Sequence, residues 1–220
     1  MAVTGLLSLL GFSIAIGFLL GLVESWIGRD LPGQLTGAIT ILGELGLLLP
    51  VWWFGLRRHG LGWSSVGLRT FDVLRGVSLG CFAWTVAMAG TVMWSLLLSL
   101  FGLRTQPNML PLFGGGLGGL LSALVAGGLV GPFAEEVFFR GYLFAGLRQH
   151  YGLKWALLVS GLFFAAIHVL PTSLPPIFLL GVLFAGLYHL TGSLWPAVGV
   201  HAFINSISFL LLYVAELGAA

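Results

Sequence analysis

Six polar side chains lie inside apolar segments of this sequence and are of types that can do chemistry. They are Glu135, Glu136, Arg140, His168, His201 and Asn205. A charge at the middle of a bilayer costs about 2.5–3.5 kcal/mol on insertion scales, so such residues face a bundle interior or a water-filled cavity. A carboxylate, two imidazoles and an amide in such a place are suited to proton transfer, to oxyanion binding or to metal ligation.

Helical spacing separates the two carboxylates. Glu136 and Arg140 are four positions apart, so they share a face and are predicted to form an ion pair. Glu135 is rotated by about 100° from that face, because the helix turns once every 3.6 residues. We therefore predict that Glu135 is the general base or acid. The alternative is that Glu136 and Arg140 form a purely structural ion pair and that Glu135 has no role. This alternative does not explain why a carboxylate stands at position 135.

The polar side chains downstream have both a structural and a functional interpretation. His168 stands alone in its apolar run, where a histidine is more often a packing residue than a catalyst. His201 and Asn205 are four positions apart and project from one face, so together they can bind one oxyanion or one metal. Asparagine also joins membrane helices by hydrogen bonds, so Asn205 alone is weak evidence.

The composition indicates that these residues lie in a membrane protein. Of 220 residues, 58% are hydrophobic and only 7% are charged, and the mean hydropathy is +1.06. A soluble domain carries about 25% charge, so a soluble enzyme and a disordered chain are both excluded. The net charge of +2 reflects scarce charge and gives no nucleic-acid footprint. The single cysteine excludes an internal disulfide and a cysteine-rich metal site.

The hydropathy pattern predicts an all-α bundle of about seven transmembrane spans (six to eight), with a catalytic cavity inside it. The first apolar run has no basic region before it and is predicted to be a retained helix. We interpret residues 1–220 as one membrane domain, with N-terminal helices at 1–110 and a catalytic core at 111–216. The predicted spans lie near 5–27, 36–56, 76–102, 117–147, 154–170, 174–190 and 194–216.

Basic residues between the spans predict the orientation. Residues 57–75 contain four arginines against one aspartate, which places that loop in the cytoplasm. Arg148 and Lys154 flank a second loop that falls on the same side. With seven spans, the N-terminus is then cytoplasmic and the C-terminus outside. The glycine cluster at 114–119 lacks the Lys-Ser/Thr of a phosphate-binding loop and is interpreted as packing or a helix break.

Three ordered motifs resemble those of one family. Residues 135–140, EEVFFR, resemble the EExxxR motif of the CAAX-protease and bacteriocin-processing (CPBP) family of intramembrane peptidases. Residues 164–168 and 201–205 are similar to its FxxxH and HxxxN motifs. The best-known members of this family are the type II CAAX prenyl endopeptidases. The resemblance covers roughly residues 131–209.

The resemblance implies a role for each of the six residues. Glu135 and His168 would activate a water, and His201 and Asn205 would form an oxyanion hole. Glu136 and Arg140 would hold the helix and position Glu135. No cofactor is expected in this mechanism. The alternative is a zinc-dependent metalloprotease with Glu135, His168 and His201 as ligands, although the HExxH pairing of many zinc proteases is absent.

The function that the resemblance implies is an intramembrane endopeptidase, and therefore a multi-pass membrane hydrolase. Its partners would be membrane lipid and a membrane-associated peptide, with prenylated CAAX-type tails as one substrate class and cleavage near the cytoplasmic side. A non-catalytic scaffold, an immunity protein or a peptide-export protein of the same family is the alternative. A small proton-coupled carrier using Glu135 is a third interpretation, which the lack of an internal repeat disfavours. Neither the natural substrate nor the oligomeric state follows from the sequence.

Overall fold

The computed structural model describes residues 32–104, 108–168 and 170–219, so the predicted span near 5–27 lies outside the described residues. The regular structure within these ranges is entirely helical, as predicted. The α-helices are α1 (Gly33–Gly46), α2 (Leu48–Pro50), α3 (Val73–Ser99), α4 (Gly116–Ala123), α5 (Gly131–Glu136), α6 (Ala145–Ala166), α7 (Leu174–Thr191) and α8 (Trp195–Ala219). π-helical stretches continue the chain at Val51–Leu56, Leu124–Val130 and Val137–Phe144. Short 3₁₀ turns lie at Arg57–His59, Trp63–Val66, Leu110–Phe113 and Pro171–Ser173.

Five helical stretches of the described chain are long and apolar enough to cross a membrane. They are Gly33–His59, Val73–Ser99, Gly116–Ala166, Pro171–Thr191 and Trp195–Gly218. The protein is therefore an integral, multi-pass membrane protein. The predicted count of about seven spans is not confirmed.

One of these stretches, Gly116–Ala166, contains the predicted span 117–147 and most of the predicted span 154–170. A straight helix of its 51 residues would measure about 76 Å, far more than the bilayer core of about 30 Å. Gly152 interrupts it with φ 76° and ψ 174°, a backbone conformation that glycine adopts readily. The predicted boundary between the two spans falls at this kink.

Two compact units make up the chain, and their segments alternate along the sequence. The first contains the described residues of 1–61, 108–135 and 202–220, and the second contains those of 62–107 and 136–201. In the first unit, Phe113 packs edge-to-face on Phe209 with ring centroids 5.7 Å apart. A Cβ atom at Gly128 would lie 2.7 Å from the Ser206 hydroxyl, so a side chain there would displace that hydroxyl.

The second unit contains a close crossing of α6 and α7. A Cβ atom added to Gly181 would lie 2.8 Å from the Cα of Gly161, and one added to Gly161 would lie 2.9 Å from a Val182 methyl. The absence of side chains at both positions lets the two backbones touch, as small residues do between membrane helices. A hydrogen bond of 2.7 Å from the Trp94 indole to the Thr172 carbonyl ties α3 to the turn before α7.

Candidate active site

A buried π-helical stretch carries the centre of the first motif. All eight residues of Val137–Phe144 are buried, and Glu136 precedes them with 0% exposure. Single π-helical turns inside helices occur frequently at functional sites. Gly141 lies within this stretch, and a Cβ atom there would lie 2.6 Å from the Val66 carbonyl oxygen. The loop that contains Val66 therefore packs directly on the motif-bearing helix.

The carboxylate of Glu136 joins an arginine and a histidine. Arg140 Nη1 donates to Glu136 Oε1 at 2.8 Å, which confirms the predicted ion pair. His201 Nδ1 donates to the same oxygen at 2.9 Å, across 65 positions of sequence. Arg140 is 1% exposed and His201 is 5% exposed, so this trio is shielded from solvent. Removing one partner of such a group leaves a stranded charge and costs about 3–5 kcal/mol.

Aromatic rings surround Arg140 and His201. The Arg140 guanidinium lies 4.2 Å from the Phe164 ring centroid and 5.2 Å from that of Phe184. The His201 ring stacks on Phe184 with centroids 5.0 Å apart and an interplanar angle of 28°. Cation–π contact stabilises a desolvated guanidinium by about 2 kcal/mol. The rings therefore fix the orientation of the guanidinium and the imidazole and exclude water from them.

The crossing of α6 and α7 supplies a further contact of Arg140. Its Nη2 donates to the Gly181 carbonyl at 3.3 Å. This carbonyl is available because Gly181 lies against Gly161 without an intervening side chain. The small residues of this crossing thus position a backbone acceptor for a charge in the motif.

The second motif places His168 on the other side of Phe164. His168 Nδ1 lies 2.8 Å from the Phe164 carbonyl oxygen, which can only accept a hydrogen bond. The hydrogen-bond network therefore assigns the proton to Nδ1, and Nε2 of the neutral ring is the basic atom. The Phe164 ring contacts His168 at 5.0 Å and His201 at 5.8 Å between centroids. One phenylalanine thus separates the two predicted catalytic histidines.

An apolar groove of about 530 Å³ flanks the turn that carries His168. Ala165 and Ala166 line it from α6, and Pro171 and Phe178 line it from the following segment. No charged side chain lines this groove. Its walls are suited to hydrocarbon and unsuited to charged groups.

The first unit holds the other two predicted catalytic residues. Asn205 is half-buried, and its Nδ2 donates to the Gly127 carbonyl at 2.9 Å. This bond uses one of the two N–H groups of the amide and fixes its direction. Glu135 is half-buried and interacts electrostatically with Glu44 of α1. The carboxyl carbon of Glu44 lies 3.6 Å from the position of a Cβ at Gly131, one helical turn before Glu135.

Two relationships were missed in the sequence. Glu44 was overlooked, although a carboxylate inside the predicted span 36–56 is itself a signal of function. The bond between His201 and Glu136 has no local sequence signal, because it joins residues 65 positions apart. The sequence grouped His201 with Asn205, whereas the hydrogen bonds give them different partners, Glu136 and Gly127.

Zinc is the alternative cofactor predicted from the sequence. Catalytic zinc requires three protein ligands that converge on one point. Among the residues that the structure describes, no group of three or more His, Cys, Asp or Glu side chains could hold a metal ion. Of the alternative ligands, Glu135 belongs to the first unit, whereas His168 and His201 belong to the second.

Comparison with family models supports the resemblance. Residues 117–207 match the family model of the type II CAAX prenyl endopeptidase Rce1-like proteins. All six predicted site residues lie within that range. No curated protein and no solved structure matches the chain. The family recognised from the three motifs is the one whose model matches this part of the chain.

Proposed function

We propose that the chain, which carries an Rce1-like domain at residues 117–207, is an intramembrane endopeptidase that works through a glutamate-activated water. The substrate is a membrane-associated peptide, with prenylated CAAX-type tails as the substrate class to be tested. The observation that carries the proposal is the buried trio of Glu136, Arg140 and His201. A fully shielded ionic trio is expensive in an apolar protein, and it connects the first motif to the third.

Glu135 and His168 are the proposed activating pair. The Nε2 atom of His168 is its proton-accepting atom, because Nδ1 is held by the Phe164 carbonyl. Glu135 directly precedes Glu136, and the trio fixes the position of Glu136. In the proposed step, Glu135 takes a proton from water as the oxygen attacks the peptide carbonyl. The proton is then delivered to the departing amine, so the reaction consumes one water and forms one carboxyl and one amine group.

His201 and Asn205 are the proposed donors to the oxyanion. With Nδ1–H held by Glu136, the imidazolium form of His201 also carries an N–H at Nε2. Glu136 and Arg140 neutralise each other, so an imidazolium makes the trio positive by one charge. A developing oxyanion compensates that charge, which is the electrostatic condition for transition-state stabilisation. The second N–H of the Asn205 amide is the proposed additional donor, since the first is held by Gly127.

The positively charged loops support a cytoplasmic site of cleavage. Arg57 and Arg58 lie at the end of the first described span and are exposed. Arg148 is exposed in α6, shortly before the kink at Gly152. The preference of arginine and lysine for cytoplasmic loops supports the assignment of both segments to that side. We therefore propose that substrate enters from the cytoplasmic half of the membrane.

The deciding experiment is a peptidase assay on the purified full-length chain in detergent. A quenched fluorescent prenylated peptide is offered to the wild type and to Glu135→Gln, each with and without a zinc chelator. Chelator-resistant cleavage by the wild type, lost in Glu135→Gln with an unchanged unfolding temperature, is the expected result. Full activity of Glu135→Gln contradicts the assignment of the base.

The other outcomes separate the alternatives. Cleavage that the chelator abolishes, and that added zinc restores, would replace the metal-free mechanism by a zinc-dependent one. Cleavage of the peptide only without its prenyl group would overturn the CAAX-type substrate class. A folded wild type that cleaves neither peptide, nor any member of a library of membrane-associated peptides, would favour a scaffold or export protein.

A further inference from the structure

A carboxylate lies near the middle of the first described span. Glu44 belongs to α1 and to the candidate span Gly33–His59, and its side chain is half-buried. A carboxylate at this depth is expensive, whereas a leucine would form the helix equally well and insert at lower cost. The proposed mechanism does not yet use this residue. Glu44 is therefore a titratable group in search of a functional reason.

The carboxyl group of Glu44 lies against the helix that carries Glu135. Its carboxyl carbon is 3.6 Å, and its Cγ 3.7 Å, from the position of a Cβ atom at Gly131. Gly131 precedes Glu135 by four residues, so the two positions lie on one face of α5. Because helical side chains lean toward the N-terminus of their helix, we expect the Glu135 side chain over the turn that begins at Gly131. An electrostatic interaction between Glu44 and Glu135 agrees with this arrangement.

The helical segments beside Glu44 supply no cation. In the described chain, the segments that pack most extensively on α1 are Leu110–Phe113, Gly116–Ala123 and Leu124–Val130, and none of them contains a titratable side chain. Two ionised carboxylates close together in apolar surroundings repel each other. One proton between them removes the repulsion and lets the protonated group donate a hydrogen bond to the other. Glu44 is thus placed to donate to the carboxylate of Glu135.

We propose that Glu44 is a positioning residue, whose carboxyl group holds the Glu135 carboxylate in the orientation required to take a proton from water. This inference rests on the proposed function of Glu135 as the base. In this role Glu44 acts through Glu135 and not on the substrate. Orientation matters because a misplacement of about 1 Å can cost about 10²-fold in rate. A glutamate that only joined helices would instead affect stability and activity together.

The test compares three variants of the purified full-length chain with the fluorescent peptide. Glu44→Leu removes the hydrogen-bond donor, whereas Glu44→Gln keeps a neutral N–H donor for the Glu135 carboxylate. Thr40→Val is the matched control, because Thr40 precedes Glu44 by one turn of α1 and its hydroxyl donates to the Thr36 carbonyl at 2.9 Å. For each variant kcat, KM and the unfolding temperature are measured.

We expect Glu44→Leu to lower kcat by about 10²-fold with KM nearly unchanged, and to unfold at the same or a higher temperature than the wild type. Glu44→Gln should recover at least about tenfold of that loss, because it restores the donor that orients the base. Thr40→Val should match the wild type. A wild-type kcat in Glu44→Leu overturns the proposal, as does an equal loss of kcat in any two of the three variants. A fall in unfolding temperature that accompanies the loss of kcat in Glu44→Leu assigns Glu44 a structural role and also overturns it.

A second measurement separates this inference from the proposed function. The unfolding temperature is measured for Glu44→Leu, Glu135→Leu and the double variant, which requires no peptidase activity. Side chains in contact give non-additive effects, whereas the effects of distant ones add. Non-additive shifts support the contact of Glu44 with Glu135 even where the wild type cleaves no peptide, and then the function assigned to Glu135 fails alone. Additive shifts overturn the contact and the inference, even where the wild type is active.

Discussion

The Nδ1 atom of His201 lies 2.9 Å from Oε1 of Glu136, and the same oxygen lies 2.8 Å from Arg140. One carboxylate oxygen thus holds a cation on its own helix and an imidazole on the last helix. Glu136 is consequently more than the helix clamp that the sequence predicted. It orients the histidine proposed to stabilise the oxyanion, so its loss affects folding and chemistry together.

The first prediction concerns the central carboxylate. Glu136→Gln keeps the shape of the side chain but removes its charge, which leaves Arg140 uncompensated in a fully buried place. We expect the free energy of unfolding to fall by about 3–5 kcal/mol and peptidase activity to be lost. Thermal unfolding in detergent and the fluorescent peptide assay measure the two effects.

Glu216→Gln is the matched control for that substitution. Glu216 is exposed near the end of α8, where its Oε1 accepts from Asn108 Nδ2 at 3.1 Å. An exposed contact of this kind contributes little, so we expect a change of less than about 1 kcal/mol. Equal destabilisation by the two substitutions would show that the buried trio has no special importance.

The sequence predicted what depends on local spacing. The Glu136–Arg140 pair followed from a separation of four residues, and the membrane-bundle class followed from composition. The bond from His201 to Glu136 could not be predicted, because it depends on how α8 packs on a helix 65 positions earlier. The position of Phe164 between two histidines likewise depends on packing. Periodicity shows which face of a helix is polar, but it does not show which other helix lies against that face.

The second prediction concerns the crossing of α6 and α7. In Gly181→Ala the new Cβ would lie 2.8 Å from the Cα of Gly161, and a backbone atom cannot yield as a flexible side chain can. The two helices must separate, which also draws the Gly181 carbonyl away from Arg140. We expect the free energy of unfolding to fall by about 1–3 kcal/mol, with reduced activity.

The control for this prediction lies one turn further along the same helix. A Cβ at Gly186 would meet no atom within 4 Å, so Gly186→Ala retains the packing. Because alanine favours a helix over glycine, we expect this variant to be neutral or more stable by up to about 1 kcal/mol. Opposite signs for the two variants support the close crossing, and equal effects contradict it.

The third prediction separates His168 from an ordinary packing histidine. If Nε2 of His168 takes part in activating water, His168→Ala lowers kcat by about 10²–10⁴-fold. Its single described hydrogen bond, to the Phe164 carbonyl, contributes only about 1 kcal/mol to stability. His150→Ala serves as the control, since His150 is exposed in α6, two residues before the kink at Gly152. A stable His168→Ala variant with unchanged kcat would return His168 to a packing role.

The fourth prediction distinguishes two functions of the Asn205 amide. Its Nδ2 donates to the Gly127 carbonyl at 2.9 Å, which suffices for an asparagine that only joins helices. If the amide is purely structural, Asn205→Ala should lower the free energy of unfolding by about 1 kcal/mol and leave kcat unchanged. An oxyanion donor predicts a loss of about 2.7–4 kcal/mol in transition-state stabilisation, equivalent to about 10²–10³-fold in kcat. We expect the second result, with KM nearly unchanged, because the oxyanion exists only during the reaction.

Ser208→Ala completes this fourth test. Ser208 lies on the same helix and donates its hydroxyl hydrogen to the Ile204 carbonyl at 2.8 Å, on an exposed face. The substitution removes an exposed hydroxyl from α8 and one hydrogen bond to a backbone carbonyl of the third motif, but it changes no motif side chain. We therefore expect kcat to remain within about twofold of the wild type, because exposed changes are small. A comparable fall in kcat for both variants would show that activity responds to any disturbance of α8. A fall confined to Asn205→Ala, at an unfolding temperature close to that of Ser208→Ala, assigns the effect to the amide itself.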